Sequence, residues 1–315
     1  MPVRRLIVNA DDFGLTDGIN RAVLELHRLG ALLSTTLMAA SPRFPEAVGI
    51  SRQHSPLGVG CHVVLVDGTP IANPAAIPSL LDSKSGHGEG ARFRATLGEF
   101  FRDLYLGRID RGHIEQEAIA QILRLQQAGI DVTHIDTHKH THMFPPVLDG
   151  VMRAAKACGI QTIRNPFEPL WSVAATPHAG LVRRWQVRLL SNLRRHFVGL
   201  TREREFATTD GCLGVAATGT LNEAALHSIL DRLPEGTWEL VCHPAYLDAE
   251  LRATRTRLLQ SRQIELTALQ ALPAILAGLD SRVEPIHFGH LTQPVARARS
   301  TRISSEQPST GIYGC

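Results

Sequence analysis

Short apolar runs alternate with amphipathic stretches along most of the chain, and the first apolar run ends at two aspartates. Residues 6–8 form the continuous apolar segment typical of a parallel strand that is covered on both faces. The run leads to Asp11 and Asp12 and stops at Gly14. Ligands bind at the carboxyl ends of parallel strands in α/β proteins, so the pattern predicts an acidic active-site edge here. The alternative is that one aspartate caps the next helix and the other is solvated.

The alternation continues after this edge and predicts a mixed α/β fold. Helices are predicted where apolar residues recur every three or four positions, and strands where short apolar runs occur. Further strands are predicted at 34–39, 58–65, 131–136, 160–164, 237–242 and 283–288. Helices are predicted from Thr16 or Asp17 to Leu29, at 44–54, 97–106, 112–127, 145–158, 178–197 and 221–233, and once or twice within 248–276.

Strands that alternate with helices of this length require parallel pairing through right-handed crossovers. About seven such strands favour a distorted or incomplete (β/α) barrel of the TIM-barrel type over an open sheet, although their spacing alone leaves both possible. We expect one domain over residues 1–290. Residues 66–98 interrupt the pattern with prolines and a Gly/Ser-rich run, and such a long excursion is expected to act as a lid over a site. Residues 291–315 lack periodicity and are expected to be a flexible tail.

Composition narrows the class of protein. Hydrophobic residues make up 43% of the 315 residues and charged residues 20%, as in soluble globular proteins. The net charge of +3 is too small to indicate nucleic-acid binding. Five cysteines without a CxxC pair, four of them in apolar surroundings, are typical of reduced thiols in a cytoplasmic protein. No apolar run approaches the ~20 residues that span a bilayer, and no signal peptide is recognisable, so an intracellular protein is expected.

Residue types that bind metals or transfer protons recur at the ends of several predicted strands. Besides the aspartate pair, these are His62 in Gly60-Cys61-His62, His243 in Cys242-His243-Pro244, and the group Asp136, His138, His140 and His142. A single histidine of this kind is usually a core residue, but four strand ends delivering such residues to one face are hard to explain by chance.

Two imidazoles and one carboxylate form a site that hydrolytic metal enzymes use, because the ion polarises a carbonyl and activates water. A second carboxylate beside the ion can accept the proton of that water. The Asp11-Asp12 pair can supply both roles, and spacing does not decide which residue has which. On an extended backbone the histidines from His138 onwards would share one face. We expect the strand to end near His138, which leaves His140 and His142 near the ligands or near substrate.

Four motifs in the same order resemble the YdjC family of carbohydrate deacetylases, which includes chitooligosaccharide deacetylase and the hopanoid-associated deacetylase. They are Val8-Asn9-Ala10-Asp11-Asp12-Phe13-Gly14, Gly60-Cys61-His62, Asp136-Thr137-His138-Lys139-His140-Thr141-His142 and Cys242-His243-Pro244. An Arg262 to Glu265-Leu266 pattern follows, and the resemblance runs from about residue 4 to 272. It implies a distorted β/α barrel that removes the acetyl group from an N-acetylated sugar.

Carried over by residue, the resemblance implies that Asp12, His62 and His138 hold one divalent ion. It also implies that Asp11 is the general base and His243 the acid. Family members are described with Mg²⁺, whereas two imidazoles and a carboxylate suit Zn²⁺, and both stay open. The sugar that the resemblance implies is a chitooligosaccharide or the head group of an N-acetylglucosaminyl glycolipid, and the similarity at residues 65–70 favours the hopanoid-associated branch. The resemblance also implies a possible homodimer. Ala245 departs from the glycine that relatives tend to carry.

Two other functions are compatible with the residues alone. A metal-dependent phosphoesterase also uses Asp/His clusters at barrel strand ends, but it would need more ligands than the three assigned. A non-catalytic sugar- or metal-binding barrel would use the aspartate pair only structurally. Release of acetate separates the deacetylase from both.

Overall fold

A long central strand, β1 (Arg4–Phe13), organises the computed structural model. The structure describes residues 3–86, 88, 90–176, 187–279 and 282–292. Leu6 and Ile7 are fully buried, as expected of a strand with packing on both faces. Asp11 and Asp12 lie near the carboxyl end of β1 and are also buried. The predicted acidic edge is therefore present.

Seven strands form one parallel sheet. The other six are β2 (Ser34–Leu37), β3 (Gly58–Val63), β4 (Val132–Thr137), β5 (Gly211–Leu213), β6 (Gly236–Cys242) and β7 (Val283–Ile286). Their order is β4-β3-β2-β1-β6-β5, and β7 pairs with the first half of β1. Because all pairs are parallel, the carboxyl ends of these strands meet at one edge.

Helices connect the strands and cover the outside of the sheet. They are α1 (Asp17–Arg28), α2 (Phe44–Gln53), α3 (Leu97–Tyr105), α4 (Arg111–Gln127), α5 (Pro145–Ala157), α6 (Leu170–Ala175), α7 (Arg194–Glu203), α8 (Glu223–Leu230), α9 (Ala249–Ala253), α10 (Gln260–Gln270) and α11 (Leu272–Ala277). Of the two candidate caps for α1, Thr16 is the one observed, since its side chain accepts a hydrogen bond from the Ile19 amide. The segment 178–186 of the predicted helix 178–197 lies outside the described residues.

Short irregular segments complete the barrel between β4 and β5. The predicted strand 160–164 is present only as isolated bridges, in which Ile163 pairs with Ile135 of β4 and Thr162 pairs with Ala207. A few residues after Ala207 the chain enters β5, which pairs with β6. β5 itself was not predicted. The result is a distorted barrel that has one parallel sheet and only irregular pairing between β4 and β5. It agrees with the predicted fold class.

The interior of the barrel accommodates aromatic rings where the strands lack side chains. The imidazole of His134 stacks on Phe288, with ring centroids 3.8 Å apart. A Cβ atom added at Gly60 would lie 2.4 Å from the His134 ring. Glycine in β3 therefore makes room for this stacked pair.

The excursion at 66–98 is anchored to the barrel. Glu117 of α4 accepts hydrogen bonds from the amides of Ile71 and Ala72, at 2.9 and 3.0 Å. The Lys139 ammonium lies 2.8 Å from an oxygen of Asp67, which links the excursion to the segment after β4. The role of the excursion as a lid stays a prediction. The predicted tail lies outside the described residues from 293 onwards.

Cys61, Cys212 and Cys242 are buried free thiols, and Cys158 is a half-buried one. Cys315 lies outside the described residues. Within the described part of the chain, every helix is too short or too polar to cross a membrane.

Candidate functional site

Three side chains from separate strand ends converge at the carboxyl edge of the sheet. Asp12 comes from β1, His62 from β3, and His138 begins the 3₁₀ turn His138–Met143 that follows β4. Asp12 Oδ1 lies 3.6 Å from His62 Nε2 and 3.3 Å from His138 Nδ1. The two imidazole nitrogens are 3.2 Å apart. The structure thus brings together the three residues expected to bind metal.

This arrangement fits one divalent ion. Ligand atoms about 2.0–2.2 Å from a common ion lie roughly 3–3.5 Å from one another, close to the separations observed here. Asp12 Oδ1 is buried and has no hydrogen-bond partner among the described residues. A buried carboxylate oxygen of this kind is costly unless a cation or a donor satisfies it. Asp12, His62 and His138 are therefore suitable ligands for a metal ion.

Asp136 orients the imidazole of His62. The two residues are paired in register on β3 and β4, and His62 Nδ1 lies 2.8 Å from Asp136 Oδ1. A carboxylate that holds one ring nitrogen leaves the other nitrogen available to a metal. Burial lowers the pKa of His62, but the carboxylates of Asp136, Asp11 and Asp12 outweigh it and raise the pKa to about 9. Without an ion, these carboxylates favour positive charge on the ring.

A second acidic group, formed by Asp11, His62 and Asp136, is less suited to a separate ion. It shares His62 with the first group. Its carboxylates also contact Arg164, whose Nη1 and Nη2 atoms donate to the two oxygens of Asp11 at 2.9 and 2.7 Å. The geometry therefore favours a site for one ion.

Asp11 lies beside the proposed ion site, and buried side chains inside the barrel donate hydrogen bonds to it. In addition to Arg164, Asn9 and Thr36 donate to its Oδ1 atom, at 3.0 and 3.2 Å. Burial would raise the pKa of Asp11, but the Arg164 guanidinium and the nearby His62 hold it well below its usual range. Asp11 is therefore ionised and held in a fixed orientation.

His243 follows β6 and faces Asp11 across the site. Its Nε2 atom lies 3.9 Å from Asp11 Oδ2, and its side chain is 14% exposed. Glu265 of α10 accepts a hydrogen bond of 2.6 Å from the His243 amide and another of 3.2 Å from the Gly219 amide. The loop that carries the expected acid is thus fixed by α10.

Arg262, also on α10, holds the second oxygen of Asp12. Its Nη2 atom donates to Asp12 Oδ2. Burial would raise the pKa of Asp12, but Arg262 and His138 hold it well below its usual range. With Oδ2 engaged in this way, Oδ1 is the oxygen that faces the two histidines.

β4 ends at Thr137, as expected of a strand that ends near His138, so the later histidines do not share one extended face. Lys139 and His140 have left-handed backbones, with φ values of 57° and 52°, and the chain turns sharply after His138. His142 is buried, with Nδ1 2.7 Å from Thr137 Oγ1 and Nε2 3.2 Å from the Arg164 carbonyl. It supports the turn. His140 Nδ1 is buried without a partner among the described residues, and burial lowers the pKa of this ring to about 3.

The main residue that the sequence did not reveal is Arg164. It is fully buried and contacts three carboxylates, those of Asp11, Asp136 and Glu239. The available signals were an arginine at the end of a predicted strand and a glutamate inside the apolar run of β6. Either one alone is also typical of a strand end at the surface.

Known proteins resemble this chain over most of its length. A family model described as "YdjC-like protein" matches residues 5–274. A carbohydrate deacetylase of Brevibacillus brevis is 32% identical over 289 residues, covering 91% of this chain and 99% of that protein. A chitooligosaccharide deacetylase of Serratia marcescens is 30% identical over 286 residues, covering 88% and 94%. The crystal structure of a putative cellobiose-phosphate cleavage protein from Enterococcus faecalis superposes with a TM-score of 0.67 at 23% identity, covering 92% and 99%. A match of this extent, with the expected motifs gathered at one barrel edge, means that the chain belongs to the YdjC-like protein family.

Proposed function

We propose that this protein is a deacetylase that uses one divalent ion to hydrolyse the acetamido group of an N-acetylated sugar. The observation that carries the proposal is the convergence of Asp12, His62 and His138 beside Asp11 and His243, with an Asp12 oxygen that lacks a hydrogen-bond partner among the described residues. Relatives named as carbohydrate and chitooligosaccharide deacetylases support the sugar as substrate class. Within that class, a chitooligosaccharide and an N-acetylglucosaminyl glycolipid are the two substrates we propose.

The residues around the ion site divide the work of amide hydrolysis. An ion held by Asp12, His62 and His138 supplies polarisation of the acetyl carbonyl and a lower pKa for water. Asp11, which is ionised and fixed beside this site, is the residue that we assign to accept the proton of the attacking water. His243 donates a proton to the leaving sugar nitrogen. Two imidazoles and a carboxylate favour Zn²⁺ by ligand softness, while Mg²⁺ follows from the family resemblance.

A phosphoesterase with paired ions is less well supported. The second acidic group shares His62 with the first, and Arg164 already neutralises its carboxylates. The non-catalytic alternative assigns Asp11 no chemical role. It therefore predicts that the protein binds a sugar or a metal without any hydrolysis.

Acetate release and metal content, measured together, test the proposal. The purified protein should release acetate from N-acetylated chitooligosaccharides or glycolipids. It should release no phosphate from phosphorylated sugars. Chelation should stop the reaction, and Zn²⁺ or Mg²⁺ should restore it. His62→Ala and His138→Ala should lose both the ion and turnover, because a site with three protein ligands has no spare ligand.

Two further variants make the test specific. His140→Ala should keep the ion, since His140 is not assigned as a ligand. His227→Ala should keep both ion and turnover, since that side chain is 50% exposed on α8. If His140→Ala loses the ion while His62→Ala keeps it, the ligand assignment is wrong.

A further inference from the structure

One polar group at the site has no role in the scheme above, namely the Nη1 atom of Arg262. The Arg262 side chain is almost completely buried, with 2% exposure. Its Nε atom donates to the Leu258 carbonyl at 3.1 Å, and Nη2 donates to Asp12 Oδ2. Nη1 is buried and has no hydrogen-bond partner among the described residues.

Two side-chain hydrogen bonds and a fixed backbone hold the Arg262 guanidinium in one direction. Arg262 lies in the first turn of α10, and its carbonyl accepts a hydrogen bond of 3.2 Å from the Ala245 amide, just after His243. Two of its three nitrogens are already bonded. A guanidinium is planar, so the direction of Nη1 is set once the other two nitrogens are held.

The second buried arginine of the site shows what a purely structural role looks like. Each of the three nitrogens of Arg164 contacts a carboxylate: Nε meets Glu239, Nη2 meets Asp11, and Nη1 meets Asp11 and Asp136. An arginine that served only to hold Asp12 could bond it with both terminal nitrogens in the same way. Arg262 uses one for Asp12 and leaves the other without a partner among the described residues.

A buried charged donor without an acceptor is costly, so a nitrogen that has none among the described residues is suited to an acceptor from outside the chain. Nη1 shares a guanidinium with the nitrogen that holds Asp12, so it lies next to the proposed metal ligand. In amide hydrolysis the acetyl oxygen gains negative charge and becomes a strong hydrogen-bond acceptor.

We propose that Arg262 is a catalytic residue whose Nη1 donates a hydrogen bond to the oxygen of the acetyl group under attack. The inference rests on the proposed deacetylase function. As the water oxygen bonds to the acetyl carbon, Asp11 takes the proton of the water and the carbonyl π electrons move onto the acetyl oxygen. Nη1 stabilises this negative charge. The C–N bond then breaks, His243 donates a proton to the nitrogen, and acetate and the free amine leave.

Substitution of Arg262 separates this role from simple support of Asp12. Arg262→Lys keeps one positive charge that can reach Asp12, but it cannot serve two acceptors in fixed directions. We expect Arg262→Lys to keep the bound ion and a KM for N,N′-diacetylchitobiose close to that of the wild type. Its kcat should fall by about 10²–10³, the usual effect of removing one oxyanion donor.

Rescue by a small molecule provides a second measurement. Arg262→Ala leaves a space for free guanidinium ion, which should restore part of kcat at concentrations that leave the fold unchanged by circular dichroism. Arg252→Lys is the matched control, because Arg252 is an exposed arginine in α9. Loss of the ion in Arg262→Lys, or a raised KM with unchanged kcat, would overturn the proposal.

Binding of acetate tests Arg262 independently of turnover. The carboxylate oxygens of acetate can occupy the place of the acetyl oxygen in the Zn²⁺-loaded protein. Calorimetry should show binding about 10 to 100 times weaker in Arg262→Lys than in the wild type, the worth of one charge-assisted hydrogen bond. Equal affinities would exclude Nη1 as an oxygen ligand. If the wild type binds acetate in this way but deacetylates no N-acetylated sugar, the proposed function fails while the donor role of Arg262 stands.

Discussion

Asp11 and Asp12 are adjacent in sequence, yet their side chains lie in different environments. Consecutive side chains on a strand point to opposite faces, so both can reach one site only if the backbone turns. The register between β1 and β2 shifts after Ala10, and Asp12 has a φ of 66°. Asp11 therefore points to Arg164 in the barrel, whereas Asp12 points to the two histidines.

This difference predicts distinct effects for two identical substitutions. Asp11→Asn keeps the shape but accepts no proton, so turnover should fall by about 10² to 10⁴ with near-normal metal content. Asp12→Asn tolerates the left-handed backbone but removes the charge of a ligand, so metal binding itself should weaken. Metal analysis and acetate release, measured on both variants, check this. A metal-free Asp11→Asn beside a loaded but slow Asp12→Asn would exchange the two roles.

The sequence predicts the residues of the site better than the contacts that hold them. Asp12, His62 and His138 follow from strand ends and motif resemblance, and the structure places them together. Arg164 does not follow, because its partner Asp11 is 153 positions away and no local pattern encodes such a pair. The left-handed turn at Lys139 and His140 was also hidden, since neither residue is a glycine.

Elements with strong local patterns were predicted well, and those that depend on distant partners were not. The predicted strands at 34–39 and 237–242 correspond to β2 and β6. β5 has only three residues, too few to show periodicity, and it exists because β6 offers a free edge. The predicted strand at 160–164 makes only isolated bridges, one to Ile135 of β4 and one to Ala207, which lies outside the strands.

At the scale of elements, a carboxyl group that attaches the excursion to α4, that of Glu117, predicts a pH dependence. Burial raises the pKa of Glu117 from its ordinary value of 4.5 to about 7, although the Ile71 amide and Gln121 donate hydrogen bonds to it. The folded state then binds this proton more tightly than the unfolded state. The contribution of Glu117 to the free energy of unfolding is therefore highest below pH 4.5 and falls as pH rises to about 7.

Glu117→Gln removes this titration. The free energy of unfolding of the wild type minus that of Glu117→Gln should decrease by roughly 3 kcal/mol between these two pH values, and stay constant above them. Urea unfolding of both proteins across the range measures the difference. A difference that does not change with pH would show that the pKa of Glu117 is not raised in the folded protein.

At the scale of the whole molecule, the interior of the barrel is polar near the site and apolar elsewhere. The guanidinium of Arg164 joins carboxylates from β1, β4 and β6, and thus ties three strands together. Burial raises the pKa of Glu239 to about 8, even though Arg164 opposes the shift. A buried ion pair adds little to stability over an apolar replacement of both partners, but removing one partner leaves charges without compensation.

Arg164→Met should therefore destabilise the fold far more than a comparable change at the surface. Without the guanidinium, three buried carboxyl groups face one another, and we expect a loss of about 3–5 kcal/mol in the free energy of unfolding at neutral pH. The loss should shrink in acid, because protonation of these groups removes their repulsion.

Arg153 provides the matched control, since it also bridges two carboxylates, Glu115 and Asp149, but its side chain is 38% exposed. Arg153→Met should cost only about 0–1 kcal/mol, the usual range for exposed pairs. Urea unfolding at neutral and acidic pH measures both variants. Equal losses in the two, or a loss in Arg164→Met that does not depend on pH, would contradict a structural role for the buried charge network.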